Sequence, residues 1–243
     1  MRTKVLFMSL VLGCLWSCQQ DETIEQTDGR IIKFTSVVIG DETLSRASGS
    51  TSIDVISMRT ELDDKFTVFD LKKDTRSWGE FSKKSEVFFY AHYPRLPESV
   101  AGNETRVLEG GTNDYLFGKA KAVAGQQQVC LQFKRVMAPL IVEVLDGDGR
   151  SYQGDIEVSA LIKNKGIQNL KDGSIVILDE KKYTSFNRFD NDGKQALNLL
   201  PQRIEKGTPF QVRLSNGVTY TATVGEAVQL NSGESYKAVV RGA

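Results

Sequence analysis

Histidine is nearly absent from this chain of 243 residues: His92 is the only one. That excludes a three-histidine zinc centre and leaves any Ser-His-Asp or Cys-His arrangement dependent on one side chain. His92 lies inside an aromatic stretch, Val87 to Tyr93, where a packed strand histidine is the simpler reading. Cysteine is scarce too, at positions 14, 18 and 130. Two of the three fall in the first 18 residues, so the body of the chain holds Cys130 alone and no internal disulfide is expected. Stability must then come from hydrophobic cores rather than staples. Cys130 and His92 together are too few ligands for a structural zinc. Cys130, between Gln128 and Gln132 on the polar face of its strand, reads as a passive small side chain. An excess of either charge is missing, with 31 Lys+Arg against 31 Asp+Glu. With no basic surplus to neutralise phosphates, nucleic acid is not an expected partner. Heptads and long charge runs are missing as well, and no apolar stretch reaches the roughly 20 residues of a membrane-spanning helix.

What is present begins with a leader. Arg2 and Lys4 give a positive start, Val5 to Trp16 an apolar stretch of about 12 residues, and Gln19-Gln20-Asp21-Glu22 a polar continuation, the layout of a secretory signal peptide. Cys18, with Leu15 three positions before it, resembles the lipobox of bacterial lipoproteins. Trp16 is bulkier than that motif usually carries, and Val11-Leu12-Gly13-Cys14 is a second, tighter match. Only a cut before Cys18 leaves an apolar region of normal length and a fully polar mature start. The expectation is a signal peptide over 1–17, acyl chains on Cys18, and a membrane-anchored mature protein. Loss of Arg2 and Lys4 brings its net charge to about minus two. An ordinary signal peptide is the alternative.

The body of the chain reads as β. Phe210, Val212 and Leu214 alternate with Gln211, Arg213 and Ser215; Asn216-Gly217 follows; then Val218, Tyr220, Ala222 and Val224 alternate with threonines. This predicts a hairpin around a type I′ turn. Val87, Phe89, Ala91 and Tyr93 share one face and Phe88, Tyr90 and His92 the other, which predicts a central strand covered on both sides. Further strands are read at Val129 to Phe133, Leu140 to Val144, Ile156 to Ala160, Ser174 to Leu178, Val228 to Leu230 and Tyr236 to Val240. Turn clusters separate them, and no helical stretch of 10 residues stands out. An all-β chain of sandwich type follows. Length favours two domains of about 100 residues, and the break near Lys134 to Pro139 is the boundary.

No catalytic constellation emerges. Asp190, Asp192 and Gly193 invite a calcium loop, but in that register Arg188 falls at position one and Leu199 at position twelve, so a turn is the better reading. Asp146 to Gly149 reads likewise, and its glycines open no helix for a phosphate. Glu61, Asp63 and Asp64 are explained by a solvated loop. The expectation is a protein that is not an enzyme and has no metal or cofactor.

Several segments together resemble the fimbrillins, subunits of the lipoprotein-derived type V pili of anaerobic Gram-negative bacteria. They are the lipobox ending at Cys18, the strand Ile31-Ile32-Lys33-Phe34-Thr35, and Ser45-Arg46-Ala47. Phe88 to Pro94, Asp114 to Gly118, Val129 to Val144, Leu199 to Gln202 and Leu230 to Tyr236 complete the set. Lys134 stands where many relatives have histidine, and the chain is short for the family. The resemblance implies two transthyretin-like β-sandwich domains in tandem, with an anchor and pro-segment over 18–46, an N-terminal domain over 47–135 and a C-terminal domain over 136–243. It implies processing by a trypsin-like protease after Arg46, which would make Ala47 the first residue. Loss of the first strand then opens a groove that a strand from another pilus subunit fills, a strand addition in which exposed N–H and C=O groups pair with a donor. Arg30 and Arg59 are further accessible-looking arginines, but a cut at Arg30 leaves the first strand in place.

The leading expectation is a structural or adhesive pilus (fimbria) subunit at the cell surface, lipid-anchored to the outer membrane before processing, with a host or bacterial receptor as a further partner. The last strand, Tyr236 to Val240, is either a donor strand or part of the sandwich core. A non-polymerising surface lipoprotein that binds a glycan or protein ligand is the alternative, although Trp78 alone outside the leader is thin for a sugar-stacking platform.

Overall fold

The computed structural model describes residues 31–39, 53–81, 84–111, 113–152, 154–188 and 197–241. In chain order its first elements are β1 (Ile31–Ile39), β2 (Val55–Thr60), β3 (Thr67–Asp70), β4 (Arg76–Ser77), a 3-10 turn Trp78–Phe81, β5 (Glu86–Tyr93), a single helical turn α1 (Glu98–Ala101) and β6 (Thr105–Glu109). Then come β7 (Leu116–Val123), β8 (Gln128–Arg135), β9 (Ala138–Leu145), β10 (Ile156–Lys163), β11 (Lys165–Asn169), β12 (Ile175–Ile177) and β13 (Lys181–Arg188). The last are β14 (Leu197–Leu199), β15 (Arg203–Ile204), β16 (Pro209–Leu214), β17 (Thr219–Thr223), β18 (Val228–Gln229) and β19 (Tyr236–Arg241). The chain is therefore all-β.

A seven-stranded sheet runs β3-β2-β5-β7-β8-β1-β4, and a four-stranded sheet runs β13-β10-β16-β17. Smaller sheets run β12-β11-β6, β14-β9-β19 and β15-β18. Two large hydrophobic clusters result. One gathers Ile32, Phe34, Ile56, Met58, Phe89, Leu131 and Phe133; the other gathers Val142, Val158, Phe186, Leu197, Val212 and Val240. Between them in sequence, Val136 and Met137 join Leu108 and Leu200 in a third cluster. The pairing of β6 with β11, Lys165 opposite Glu109 through Asn169 opposite Thr105, ties the first half of the chain to the second.

Strand β5 is central, between β2 and β7. Val87, Phe89 and Ala91 are fully buried on one face, as alternation predicts. The opposite face is covered unevenly: Phe88 and Tyr90 are half-buried, while His92 is completely enclosed. Phe66, Leu96 and Leu170 form the small cluster over that end.

The hairpin of β16 and β17 forms, with Val212 opposite Tyr220, but its turn differs from expectation. Asn216 does not take the positive φ that a type I′ turn requires; Gly217 does, at 89°. The Gly217 amide donates to the Leu214 carbonyl at 2.9 Å and the Leu214 amide to Val218 at 2.8 Å, a three-residue loop closed by a left-handed glycine. The Asn216 carboxamide accepts from the Val218 amide instead, so it is spent on the loop. Alternation also overstates β17: it is an edge strand, and Ala222 is exposed.

Candidate functional site

The first strand sets the geometry of the site. In β1, Ile32 and Phe34 alternate with Lys33 and Thr35, so two large apolar side chains enter the core while their neighbours face out. The Phe34 ring stands edge-on to Phe89 at 4.9 Å and to Phe69 at 5.2 Å. Burial ends there: Val37, Val38 and Ile39 are 47%, 38% and 44% exposed. Two residues therefore supply most of the strand's apolar anchorage, roughly 1.5–3 kcal/mol each.

Along one side, β1 pairs with β8 in parallel, from Lys33 opposite Gln128 to Ile39 opposite Lys134. On the other, among the described residues, it meets only the two residues of β4, as Ile31–Ser77 and Ile32–Arg76. That short grip is held by a charged clamp. Arg76 donates from both terminal nitrogens to Asp63 at 3.2 Å and from Nε to Glu80 at 2.6 Å. Burial alone would raise the Asp63 carboxyl, but the Arg76 guanidinium and the Thr60 amide and hydroxyl outweigh it and hold it below the ordinary carboxylate range. The acidic residues read as a solvated loop thus include one, Asp63, with a structural partner. The Trp78 indole, donating to the Gln126 carbonyl at 2.8 Å, fixes the neighbouring 3-10 turn to the start of β8.

The far end of the chain repeats the arrangement. Strand β19 lies parallel to β9, from Tyr236 opposite Leu140 to Arg241 opposite Leu145, and buries Val240 in the second cluster. Among the described strand pairs, only these two are parallel. Lys237 pairs with Glu143 at 2.6 Å. The last strand, read as either donor or core, completes its own core here.

A basic constellation lies elsewhere, on β2, β5 and β6. Arg59, expected to be accessible, is only 5% exposed, because β2 is covered on both faces and the guanidinium lies 4.4 Å from the centre of the Phe66 ring. Arg106 is 8% exposed; its Nε donates to Gln168 at 2.7 Å, and its guanidinium lies 4.8 Å from the Tyr115 ring. His92 sits 2.9 Å from the Leu170 carbonyl through Nε2. One nitrogen of each, Nη2 of both arginines and Nδ1 of His92, is buried without a hydrogen-bond partner among the described residues. Burial, with Arg106 and Arg59 nearby, pushes His92 down to about 3, so it is neutral. Burial likewise lowers Arg106 to about 10. This constellation was not legible in the sequence, since nothing in the spacing of residues 59, 92 and 106 brings them together.

The sequence-predicted site residues Cys18, Arg46 and Ala47 lie outside the described residues, as do Cys14, Arg30 and the turn at 190–193. Cys130 faces Thr35 of β1 across the ladder and is half-buried. Among the described residues no group of three His, Cys, Asp or Glu side chains could hold a metal ion, and no helix is long and apolar enough to cross a membrane.

A family model described as fimbrillin-like matches residues 42–241. No curated protein matches the chain. Among solved structures, a candidate cell adhesion protein from Bacteroides thetaiotaomicron is 32% identical over 88% of this chain and 93% of its own, with a TM-score of 0.70. Candidate cell adhesion proteins from Bacteroides ovatus and Bacteroides uniformis share the fold at 17% and 14% identity, with TM-scores of 0.64 and 0.63. They cover 86% and 90% of this chain, and 91% and 94% of their own.

Proposed function

The chain belongs to the fimbrillin-like family, and on that premise we propose that it is a structural or adhesive, non-enzymatic subunit of a cell-surface pilus. In this reading it is exported as a lipoprotein through Cys18 and anchored to the outer membrane until it is cut after Arg46. The two large clusters support two transthyretin-like sandwiches in tandem, over 47–135 and 136–243.

The observation that carries the reading is the seat of β1. It lies in a parallel ladder on one side and against a two-residue strand on the other, with two core anchors. Its departure would uncover the outer edge of β8 and the rings of Phe69 and Phe89 while leaving β2, β5, β7 and β8 paired with one another. An unpaired strand edge beside an apolar slot is what an incoming strand completes, backbone to backbone, with alternate side chains filling the vacated pockets. Because β19 closes its own core, the subunit in this state is a strand acceptor.

The test is the mature N-terminus, read by mass spectrometry on protein taken from the native cell surface. A chain starting at Ala47 is expected and supports assembly by strand addition. An acylated Cys18 as the sole start would replace this reading with a permanently anchored surface lipoprotein. A start at neither position overturns both the lipidation and the cleavage.

A further inference from the structure

The solvent face of the seven-stranded sheet carries a row of lysines. On β7, Lys119 and Lys121 are exposed while Gly118 and Ala122 are buried; on β8, Lys134 is exposed beside the buried Phe133. The register sets Lys134 opposite Phe117, Lys119 between Gln132 and Tyr90, and Lys121 opposite Phe88. Lys119 and Lys121 are thus about 7 Å apart along their strand, and Lys134 lies on the diagonal from Lys119 at about 7–8 Å. All three line one open cavity of about 650 Å³, to which Asp172 is the one acidic contributor. Little of this positive charge is neutralised. Among the described residues the row makes one ion pair, Lys121 with Glu86 at 2.8 Å, between half-exposed side chains where such a pair contributes little. The Asp172 carboxylate is taken up by the Ser174 hydroxyl and amide, at 2.6 and 2.8 Å, with the Lys119 charge a lesser influence. The Lys119 ammonium, in the middle of the row, lies 5.0 Å from the centre of the Phe88 ring and 5.4 Å from that of Tyr90.

We propose that this face binds a linear acidic polysaccharide, its sulfate or carboxylate groups seated in turn on Lys134, Lys119 and Lys121. Lysine ammoniums are point charges without the fixed fork of arginine, so they suit anions whose orientation varies along a flexible polymer. A chain charged at successive sugars engages the whole row, and each contact after the first is intramolecular; a single small anion gains none of this. Single-stranded nucleic acid fits less well, because its bases need open aromatic faces to stack on. Here Lys119 occupies those of Phe88 and Tyr90. The same coverage argues against a neutral glycan, which would depend on those rings. The row lies entirely on β7 and β8, so the site goes beyond strand exchange and does not draw on β1.

Surface plasmon resonance of the purified full chain over immobilised heparin and over immobilised polygalacturonate, at pH 7.5 and about 0.15 M salt, tests it. Saturable binding to at least one of them is expected, heparin alone marking sulfate and both marking carboxylate as sufficient, with no response to neutral dextran. Combining Lys119→Gln with Lys134→Gln should weaken that binding about tenfold or more. Combining Lys181→Gln with Lys182→Gln makes the same change of net charge at exposed positions of β13 and should leave it within about twofold. Lys134→Gln alone, one exposed position, should weaken binding as well and keeps the test decisive if the first pair does not fold. Absence of saturation on both polysaccharides overturns the proposal, as does binding unchanged in Lys134→Gln. Equal weakening by the two pairs would reduce the effect to non-specific ion exchange and overturn it too. So would a DNA oligonucleotide, or vesicles of phosphatidylglycerol, bound as tightly as the better polysaccharide.

Discussion

His92 shows how one buried side chain can make stability depend on pH. Enclosed beside two arginines, it is held neutral down to about pH 3, whereas an unfolded chain protonates it near 6.5. A histidine whose folded value is depressed contributes its full stability above the unfolded value and loses it as the pH falls, because the unfolded state takes up the proton first. Between pH 7.5 and pH 5.0 the protein should therefore lose about 2 kcal/mol of unfolding free energy. His92→Gln can still donate to the Leu170 carbonyl but cannot titrate, so its loss over the same interval should be much smaller. Urea denaturation at the two pH values checks this, and an equal slope in both proteins would refute it. The window lies above the range of the lowered carboxylates, such as Asp63, which keeps their contribution out of the comparison.

At the scale of elements, β1 is anchored unevenly, and substitution should expose the gradient. Phe34→Ala removes a ring from between Phe69 and Phe89 and should cost about 3–5 kcal/mol. Val38→Ala, on the exposed half of the same strand, should cost no more than about 0.5 kcal/mol. Denaturant midpoints of the uncleaved protein measure both, and similar losses would mean that β1 is gripped along its whole length. The gradient was partly legible in sequence: Ile32 and Phe34 announce an inward face, and Val129, Leu131 and Phe133 announce the strand that β1 pairs with. The parallel direction of that pairing was not legible, since alternation is the same in either sense. Strands β6 and β11 escaped for a sharper reason. In β6 the buried positions are Arg106 and Leu108 while Val107 is 63% exposed, and in β11 Gly166 and Gln168 are buried while Ile167 faces out. Their apolar pattern is inverted or broken, and Arg106 and Gln168, the pair responsible, bond to each other on the buried face.

For the molecule as a whole, the bridging contacts decide whether the halves unfold together. The β6–β11 ladder and the cluster of Leu108, Val136, Met137 and Leu200 draw on residues from both sides of position 135. Neither large cluster can be lost without exposing part of this bridge, so equilibrium unfolding should be one cooperative step. In a Trp16→Phe background the single remaining tryptophan, Trp78, reports on the first cluster. Its fluorescence should change over the same denaturant range as the far-ultraviolet circular dichroism of the whole chain. Two separated transitions would mean that the bridge is too weak to couple the halves.

The two parallel ladders also set an order of events in time. Lys33 must find Gln128, and Tyr236 must find Leu140, each across roughly a hundred residues of chain. During synthesis or translocation β1 precedes β8 by that whole stretch, so it waits without its ladder partner while most of the first sheet is still to come. Contacts of such sequence separation form late and slowly. Until then Ile31, Ile32, Phe34, Val37, Val38 and Ile39 form a bare apolar segment of strand-forming residues, prone to pair with whatever edge it meets first. That late docking leaves β1 exposed to aggregation until β8 arrives.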